Sequence, residues 1–362
     1  MMHRNARVVL DDGYDIPAIS FGAPVSAAGE VVFSTGMVGY PESLTDPSYR
    51  GQILTLTFPS VGNYGVPADV PGPEGLPKYF ESDRVQVAGL IVADYHPAYS
   101  HWEATRALGD WLAAAGIPAV HGVDTRALTR RLRFSGTMPG KIIIDGEPAR
   151  FDPAEHDLVA EVGLGRRDPI GPADGLHVVV VDCGVKANIL RSLVHRGVRC
   201  TIIPWDRDPT EIECDGIMLT NGPGDPGRCV PTIEHVRAAL ARDVPIFGIC
   251  HGCQILGLAA GGTSFKLHFG HRGQNQPVID TETRRCYVTS QNHGYALDAR
   301  ELPSDFAVWF LNANDGSVEG IKHRHKPFSA VQFHPEAACG PVDTGYLFDR
   351  FLAQMAERRK GK

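Results

Sequence analysis

The sequence predicts an α/β protein with two domains: an N-terminal mixed α+β domain, then an α/β domain with a mostly parallel central sheet. Three observations support this prediction. The chain has 362 residues, enough for two or three domains with separate cores. All eight cysteines follow residue 182, so the halves differ in composition. Short extended runs dominate the first half, whereas strands and helices alternate in the second.

Composition excludes several classes of protein. Hydrophobic residues make up 43% of the chain, too many for a disordered acidic protein. No window approaches the ~18–20 apolar residues of a membrane-spanning helix, so we expect no membrane partner. The formal charge is −7, and the absence of a long basic run argues against a nucleic acid partner.

The cysteines and the N-terminus indicate a reducing compartment. Met1–Val9 is short and polar, unlike a secretory signal peptide, which favours free thiols and a cytoplasmic location. His3, Arg4 and Arg7 are too few basic residues to identify a mitochondrial presequence, so a mitochondrial location stays open as the alternative.

Residues 1–150 are predicted to form the first domain. Its strands are apolar runs separated by turn residues, and the proline-rich stretch from Pro59 to Pro77 is predicted to be a loop. One helix is expected from a capping box at Ser100 and Glu103 to about Ala115. A second is expected from Asp124 to Phe134. The predicted strands are Arg7–Leu10, Glu30–Thr35, Gln52–Phe58, Val85–Asp94 and Lys141–Ile144.

Residues 151–176 are predicted to be a linker, because prolines and glycines interrupt any period. Residues 177–360 form the second predicted domain. Its near-continuous apolar strands alternate with helices, as in a parallel sheet covered on both faces. The predicted strands are His177–Asp182, Cys200–Pro204, Gly216–Thr220, Pro245–Ile249, Ala307–Leu311 and Ser329–Phe333; the helices are Lys186–Arg196, Thr232–Arg242, His251–Ala260 and Thr344–Arg358.

The sharpest motif is Gly248-Ile249-Cys250-His251-Gly252, which lies between a predicted strand and a predicted helix. It fits the nucleophile-elbow pattern, in which the nucleophile occupies a strained turn and close backbone contacts require glycine on both sides. A helix N-terminus also favours the reactive thiolate. Cys250 is therefore a candidate nucleophile; the alternative is a buried structural cysteine.

The same residues also read as a Cys-x-x-Cys motif, because Cys253 follows Cys250 at the spacing of a redox dithiol or half a zinc site. His268 and His271 would be the additional zinc ligands. No second Cys-x-x-Cys exists. We therefore assign no metal ligand and keep the redox protein as a minor alternative.

A cysteine nucleophile needs a base, and the base needs an orienting group. His334 and Glu336 follow a predicted strand, and alternate residues of an extended segment project to the same side. Glu336 can therefore hold one ring nitrogen of His334 while the other faces Cys250. A lone His-x-Glu is common on protein surfaces, so this pair indicates a catalytic site only in combination with the elbow cysteine.

Two glycine-rich segments do not form nucleotide sites. Residues 222–227 satisfy Gly-x-Gly-x-x-Gly, but Pro223 and Pro226 prevent a helix from opening within the motif. Exposed N–H groups of such a loop suit an oxyanion hole better. Residues 136–141 are one residue short of a phosphate-binding loop. We predict no ATP site and no cofactor in this chain.

These motifs together resemble the small, glutamine-hydrolysing subunits of carbamoyl-phosphate synthetases, within the class I glutamine amidotransferases. The resemblance covers nearly the whole chain. In the second half it lies in Thr220–Pro226, Phe247–Gln254, Gln291–Tyr295 and His334–Glu336; in the first it lies in Leu10–Gly13, Gly29–Phe33, Leu44–Tyr49, Gly62–Gly65 and Gly122–Arg126.

The resemblance implies a function and a site. Cys250 would attack the glutamine carboxamide, His334 would be the acid and base, and Glu336 would orient His334. Backbone N–H groups of Gly224 and His251 would hold the oxyanion. The residues that fall where the family binds L-glutamine are Ser48, Gly222, Gly224, His251, Gln254, Asn292, Gly294 and Tyr295.

The resemblance also implies a partner. Ammonia would pass to a carbamoyl-phosphate synthetase large subunit, in a heterodimer, or to a fused synthetase domain. ATP, Mg and bicarbonate would bind to that partner, and the carbamoyl phosphate would serve pyrimidine or arginine synthesis.

The chain departs from the family pattern at the elbow, where it reads Cys-His-Gly-Cys-Gln and the family usually reads Cys-Leu-Gly-His-Gln. Gly294-Tyr295-Ala296-Leu297-Asp298 also looks like a branch that lacks the nucleophilic cysteine and uses free ammonia. A non-catalytic regulatory or scaffold subunit is therefore the second hypothesis. The presence of Cys250 favours hydrolysis.

Overall fold

The structure is a computed structural model that describes residues 4–165, 167 and 169–361. Contacts within the chain divide it after Leu158 into two compact units. None of the helices in the described part of the chain combines the length and the apolar character needed to cross a bilayer.

The first unit contains a closed barrel of seven strands in the order β1-β11-β3-β4-β7-β10-β2. The pairs β3–β4, β4–β7 and β7–β10 are parallel and the others antiparallel. The barrel strands are β1 (Asn5–Leu10), β2 (Asp15–Ser20), β3 (Ala27–Ser34), β4 (Gln52–Leu56), β7 (Gly89–Ile91), β10 (Ala119–His121) and β11 (Met138–Ile143). Four shorter strands form two separate pairs: β5 (Ser60–Val61) with β8 (Asp94–Tyr95), and β6 (Val66–Pro67) with β9 (Ala104–Arg106).

Three α-helices accompany the barrel: α1 (Tyr40–Thr45), α2 (Leu108–Ala114) and α3 (Thr125–Ser135). Helix α3 agrees with the helix predicted from Asp124, whose carboxylate caps it by accepting a 2.8 Å hydrogen bond from the backbone N–H of Ala127. Leu54, Leu90 and Leu112 belong to a core cluster in which they are fully buried.

The helix predicted from Ser100 is wrong in its first two turns. Residues 104–106 are strand β9, which pairs with β6, and α2 begins only at Leu108 without a side-chain cap. The backbone of this segment therefore bonds to β6 instead of closing helical turns, so tertiary pairing outweighs the local capping signal. The single strand predicted over Val85–Asp94 is also replaced, by β7 and β8.

The segment predicted as a linker, 151–176, carries buried apolar side chains. Phe151 packs against Gly51, where an added Cβ would lie 2.6 Å from its ring. Helix α4 (Leu158–Val162) buries Leu158, Val159 and Val162. The sequence did not predict the burial of these residues, because glycines and prolines interrupt the periodic pattern around them.

The second unit confirms the predicted α/β class. Its nine-stranded sheet has the order β13-β12-β14-β15-β20-β19-β18-β16-β17. The first five strands are parallel, and the other four extend the sheet in antiparallel pairs. The strands are β12 (Leu176–Asp182), β13 (Val198–Pro204), β14 (Gly216–Leu219), β15 (Ile246–Ile249), β16 (Ser264–Asp280), β17 (Cys286–Leu297), β18 (Phe306–Asn312), β19 (Val318–His323) and β20 (Phe328–Val331).

The parallel strands are buried on both faces by helices α5 (Ala187–Val194), α6 (Val230–Ala239), α7 (His251–Ala260) and α8 (Tyr346–Lys360). Val178–Val181 of β12 are each fully buried, as four consecutive valines predict. Strands β15 and β20 are neighbours with Ile249 opposite Val331, so the residues that follow them emerge at one edge of the sheet.

Candidate active site

Cys250 occupies a strained turn between β15 and α7. Its backbone has φ 54° and ψ −103°, a conformation that non-glycine residues rarely adopt. An added Cβ at Gly248 would lie 2.6 Å from the Gly252 carbonyl oxygen, and one at Gly252 would lie 2.2 Å from the Leu219 carbonyl oxygen. Both elbow glycines are therefore required by close backbone contacts, and the junction has the strand–turn–helix form that the motif predicts.

The elbow is joined to the end of the neighbouring strand. The backbone N–H of Cys250 donates to the Val331 carbonyl at 2.8 Å, and three residues later the backbone N–H of His334 donates to Ser290 at 2.9 Å. The Cys250 thiol lies 3.6 Å from the backbone oxygen of Asn292. Strands β15, β20 and β17 thus meet at the candidate nucleophile.

His334 and Glu336 form a buried pair. Nδ1 of His334 lies 2.6 Å from Oε1 of Glu336, and the Lys186 ammonium lies 3.0 Å from the same oxygen. Nε2 of His334 has no hydrogen-bond partner among the described residues. The geometry therefore leaves one ring nitrogen available on a histidine whose other nitrogen is fixed by a carboxylate.

The electrostatic surroundings keep this pair charged. Burial and Lys186 lower the pKa of His334, but the charges of Glu336 and Cys250 raise it further, to about 9. Burial raises the pKa of Glu336, whereas Lys186 and His334 outweigh burial and lower it to about 2. At neutral pH His334 is an imidazolium and Glu336 a carboxylate.

The two unusual residues of the elbow lie away from this pair. His251 is buried with Nε2 3.4 Å from the Cys229 thiol, and burial lowers its pKa to about 4, so the ring is neutral. Cys253 is fully buried in the apolar core beside Ile255 and Leu256, and burial raises its pKa well above the usual range. A thiol in that environment is inert, which argues against a Cys250–Cys253 dithiol.

The cysteine-based zinc site considered from the sequence is not assembled. Within the described ranges, the one group of potential metal ligands that lie together is His271, His293 and Glu319, which contains no cysteine. His268 is exposed on β16.

Most of the residues expected to bind glutamine lie around the elbow. Gln254 of α7 donates to the Tyr295 carbonyl at 2.8 Å and to Gln332 at 3.0 Å. Asn292 and Gly294 lie with Tyr295 on β17. Helix α7 is thereby attached to the strand that carries three of the expected residues.

The other expected residues follow β14, the neighbour of β15, or belong to the first unit. Gly222 and Gly224 follow β14, and an added Cβ at Gly222 would lie 2.3 Å from the Cys183 carbonyl oxygen. Ser48 is buried in a short 3₁₀-helix, Pro47–Tyr49, of the first unit, where its N–H donates to Asp46 at 2.9 Å.

Sequence reasoning missed two residues that contact Glu336. Lys186 pairs with its carboxylate, and the side-chain amide of Asn188 donates to its backbone carbonyl. Both follow the carboxyl end of β12, where side chains of open α/β sheets commonly serve a site, and this position was the available signal.

Comparisons with known proteins identify the two domains of the chain. The family of class I glutamine amidotransferases matches residues 179–354, and the carbamoyl-phosphate synthase small chain, CPSase domain, matches residues 8–142. The arginine-specific small chain of carbamoyl phosphate synthase from Aspergillus niger is 49% identical over 97% of this chain and 80% of its own length. The chain belongs to the family of carbamoyl phosphate synthase small chains.

Two further relatives show how the small chain occurs. The arginine-specific small chain of Aspergillus oryzae is 48% identical over 97% of this chain and 80% of its own length. The human protein named carbamoyl-phosphate synthase [ammonia], mitochondrial, is 48% identical over 99% of this chain, which spans only 24% of that relative. The second unit of the present chain is a class I glutamine amidotransferase domain, of the class that uses a thiol nucleophile.

Proposed function

We propose that this chain hydrolyses L-glutamine and delivers ammonia to a carbamoyl-phosphate synthetase large subunit. One observation carries the proposal: Cys250 occupies a strained elbow at the sheet edge where the buried His334–Glu336 pair also emerges. A thiol, an imidazole and a carboxylate in this order are the parts of a nucleophilic triad.

The triad would act in two stages. The His334 imidazolium stabilises the thiolate of Cys250, which attacks the carboxamide carbon and forms a tetrahedral intermediate. His334 then gives its proton to the departing ammonia, leaving a thioester. In the second stage His334 removes a proton from water, which attacks the thioester and releases glutamate and the thiolate.

The remaining expected residues would bind and orient the substrate. Backbone N–H groups of Gly224 and His251 would stabilise the oxyanion, since developing charge is best met by preorganised donors. Ser48, Gly222, Gln254, Asn292, Gly294 and Tyr295 would contact glutamine. The His251 ring contacts the Cys229 thiol, and the proposed role in the oxyanion hole uses only the backbone N–H of His251.

The chain itself would hold no cofactor. ATP, Mg and bicarbonate would bind the large subunit, or a fused synthetase domain, which makes carbamoyl phosphate. The names of the Aspergillus relatives favour arginine synthesis. We keep the cytoplasm as the expected location and the mitochondrion as the alternative, which the name of the human relative favours.

A second function, a non-catalytic subunit of an ammonia-dependent synthetase, is favoured by one observation. The human relative, 48% identical, carries the word ammonia in its name. Against it, this chain retains the thiol and the charged His334–Glu336 pair that hydrolysis requires.

Glutamate release from glutamine tests the proposal, measured for the full chain with and without a large subunit. We expect the wild type to release glutamate and Cys250→Ala to lose at least about 10³-fold of this activity, because the nucleophile is removed. Cys253→Ala, a matched change three residues away in the core, keeps most of it.

The other outcomes contradict the proposal in different ways. Equal loss in both cysteine variants would favour the dithiol. A wild type that supports carbamoyl phosphate formation from ammonia, but releases no glutamate from glutamine even with the large subunit, would favour the non-catalytic subunit.

A further inference from the structure

A second cluster of buried histidines and a carboxylate lies on the antiparallel side of the sheet and has no part in the proposed hydrolysis. His271 comes from β16, His293 from β17 and Glu319 from β19. All three are buried, and Glu319 is fully so. The two imidazole rings are 4.9 Å apart and nearly perpendicular.

The outer nitrogen of each histidine is already bonded. Nδ1 of His293 lies 2.8 Å from the Tyr295 carbonyl oxygen, which can only accept, so this nitrogen carries the ring proton. Nε2 of His271 lies 2.9 Å from Oδ2 of Asp315, and the same argument places a proton there. A hydrogen bond of this kind, to a carboxylate or a carbonyl, is what orients metal-binding histidines in proteins.

The inner atoms of the cluster face one another, and the proton on Nδ1 of His293 leaves its Nε2 as a lone pair. Nδ1 of His271 lies 3.3 Å from Oε1 of Glu319. Nε2 of His293 lies 3.9 Å from that oxygen and 3.2 Å from Oε1 of Gln291. The amide nitrogen of Gln291 is directed to Thr289 and Glu319, so its oxygen faces the histidine. Acceptors at such separations repel unless a cation lies between them.

A single proton does not satisfy the whole cluster. A proton on Nδ1 of His271 would relieve the contact with Glu319, but it would leave the contact between His293 and Gln291 unrelieved. Oε2 of Glu319 has no hydrogen-bond partner among the described residues.

We propose that His271, His293 and Glu319 bind a divalent transition-metal ion of the Zn²⁺ class, with the amide oxygen of Gln291 as a fourth ligand. The three ligand atoms lie within 4.8 Å of one another. Bonds of about 2.0–2.2 Å in a tetrahedral site separate ligand atoms by roughly 3.3–3.6 Å, so the pair at 3.3 Å already fits and the widest pair must close by roughly 1.2–1.5 Å. Two imidazoles with a carboxylate suit Zn²⁺ better than Mg²⁺ or Ca²⁺.

The site would be structural. It would tie β16, β17 and β19 together immediately behind Asn292, whose carbonyl contacts the Cys250 thiol. The Tyr295 carbonyl links the two regions directly, because it accepts from both His293 and Gln254. The metal would thus fix the strand that carries the proposed glutamine pocket, without contacting the reacting atoms.

Metal content of the folded full chain tests the proposal independently of glutaminase activity. The chelator-treated protein is loaded with Zn²⁺ or Co²⁺, passed through gel filtration and assayed by mass spectrometry. We expect the wild type to retain about one ion per chain and Glu319→Gln to lose it. Asp315→Asn, at the half-exposed outer partner of His271, should weaken binding about 10–100-fold. His268→Asn, an exposed histidine on the same strand, should change nothing.

The Co²⁺ form separates this site from binding by the cysteines, because thiolate ligands add an intense charge-transfer band that a nitrogen and oxygen site lacks. Retention of the ion by a Glu319→Gln or His271→Gln chain with unchanged circular dichroism would overturn the proposal. So would a thiolate band, or a folded wild type that retains no metal; that last result would leave an imidazolium–carboxylate pair of His271 and Glu319 as the explanation.

Discussion

The second unit contains two buried histidine–carboxylate clusters that differ in how their charges are balanced. Around His334 and Glu336, the additional cation Lys186 lowers the pKa of Glu336 to about 2, and the carboxylate helps raise that of His334 to about 9. Around Glu319 the partners are His271, Asn312 and Gln291, and burial raises the pKa of Glu319. Each cluster therefore raises the pKa of one histidine, His334 or His271, but only the carboxylate of the first has a lysine partner and a lowered pKa.

The contrast shows that burial lowers the pKa of a histidine unless a neighbouring negative charge outweighs it. Both His334 and His293 are buried, yet the pKa of the first is raised and that of the second lowered. A carboxylate at 2.6 Å stabilises the charged ring of His334, whereas the backbone carbonyl at 2.8 Å from His293 raises its pKa too little to outweigh burial.

The largest effect on activity is expected from a substitution in the cluster of His334 and Glu336. His334→Asn should reduce glutamate release by about 10²–10⁴-fold, because it removes the group proposed to protonate ammonia and activate water. Steady-state kinetics with the large subunit measure this. His325→Asn, at an exposed histidine, is the control, and equal activity of both variants would remove His334 from the mechanism.

Next in size is a matched pair of neutral substitutions, compared by urea unfolding of metal-free protein at pH 7. Glu336→Gln leaves buried His334 and Lys186 without their carboxylate and should lower the free energy of unfolding by about 3–5 kcal/mol. Glu319→Gln should cost less than Glu336→Gln, because burial already disfavours the charged form of Glu319. Equal costs would show that the two clusters do not differ in charge balance.

The smallest effect is a shift in pH dependence. Glutaminase activity should fall as the pH rises through about 9, where His334 loses its proton. Lys186 lowers the pKa of His334, so Lys186→Met should move this basic limb upward by about one unit, while Lys186→Arg should restore it. Rates measured between pH 7 and pH 10 check both, and an unmoved limb would contradict the role given to Lys186.

Protonation of His334 also contributes to the free energy of unfolding. Because the folded-state pKa of His334 lies above its ordinary value of 6.5, its contribution is fully present below pH 6.5 and is lost as the pH rises through about 9. Glu336 behaves in the opposite sense, because its pKa is depressed: its contribution is present above pH 4.5 and is lost as the pH falls towards 2.

Local sequence signals were reliable where they state a backbone requirement. The elbow glycines, the four valines of β12 and the cap at Asp124 each describe a constraint within a few residues of the chain. The capping box at Ser100 misled because pairing between β9 and β6, nearly forty residues apart, competes with the helix. The short strands β2 and β10 were missed for the same reason, since barrel pairing defines them.

The sequence by itself determined the α/β class, the family resemblance and the strand–turn–helix setting of Cys250, because these depend on local spacing and periodicity. Only the tertiary structure decided that Lys186 joins Glu336, that Cys253 lies in the core and that His271, His293 and Glu319 converge. These contacts join residues on separate strands and helices, and neither spacing nor composition records which elements become neighbours.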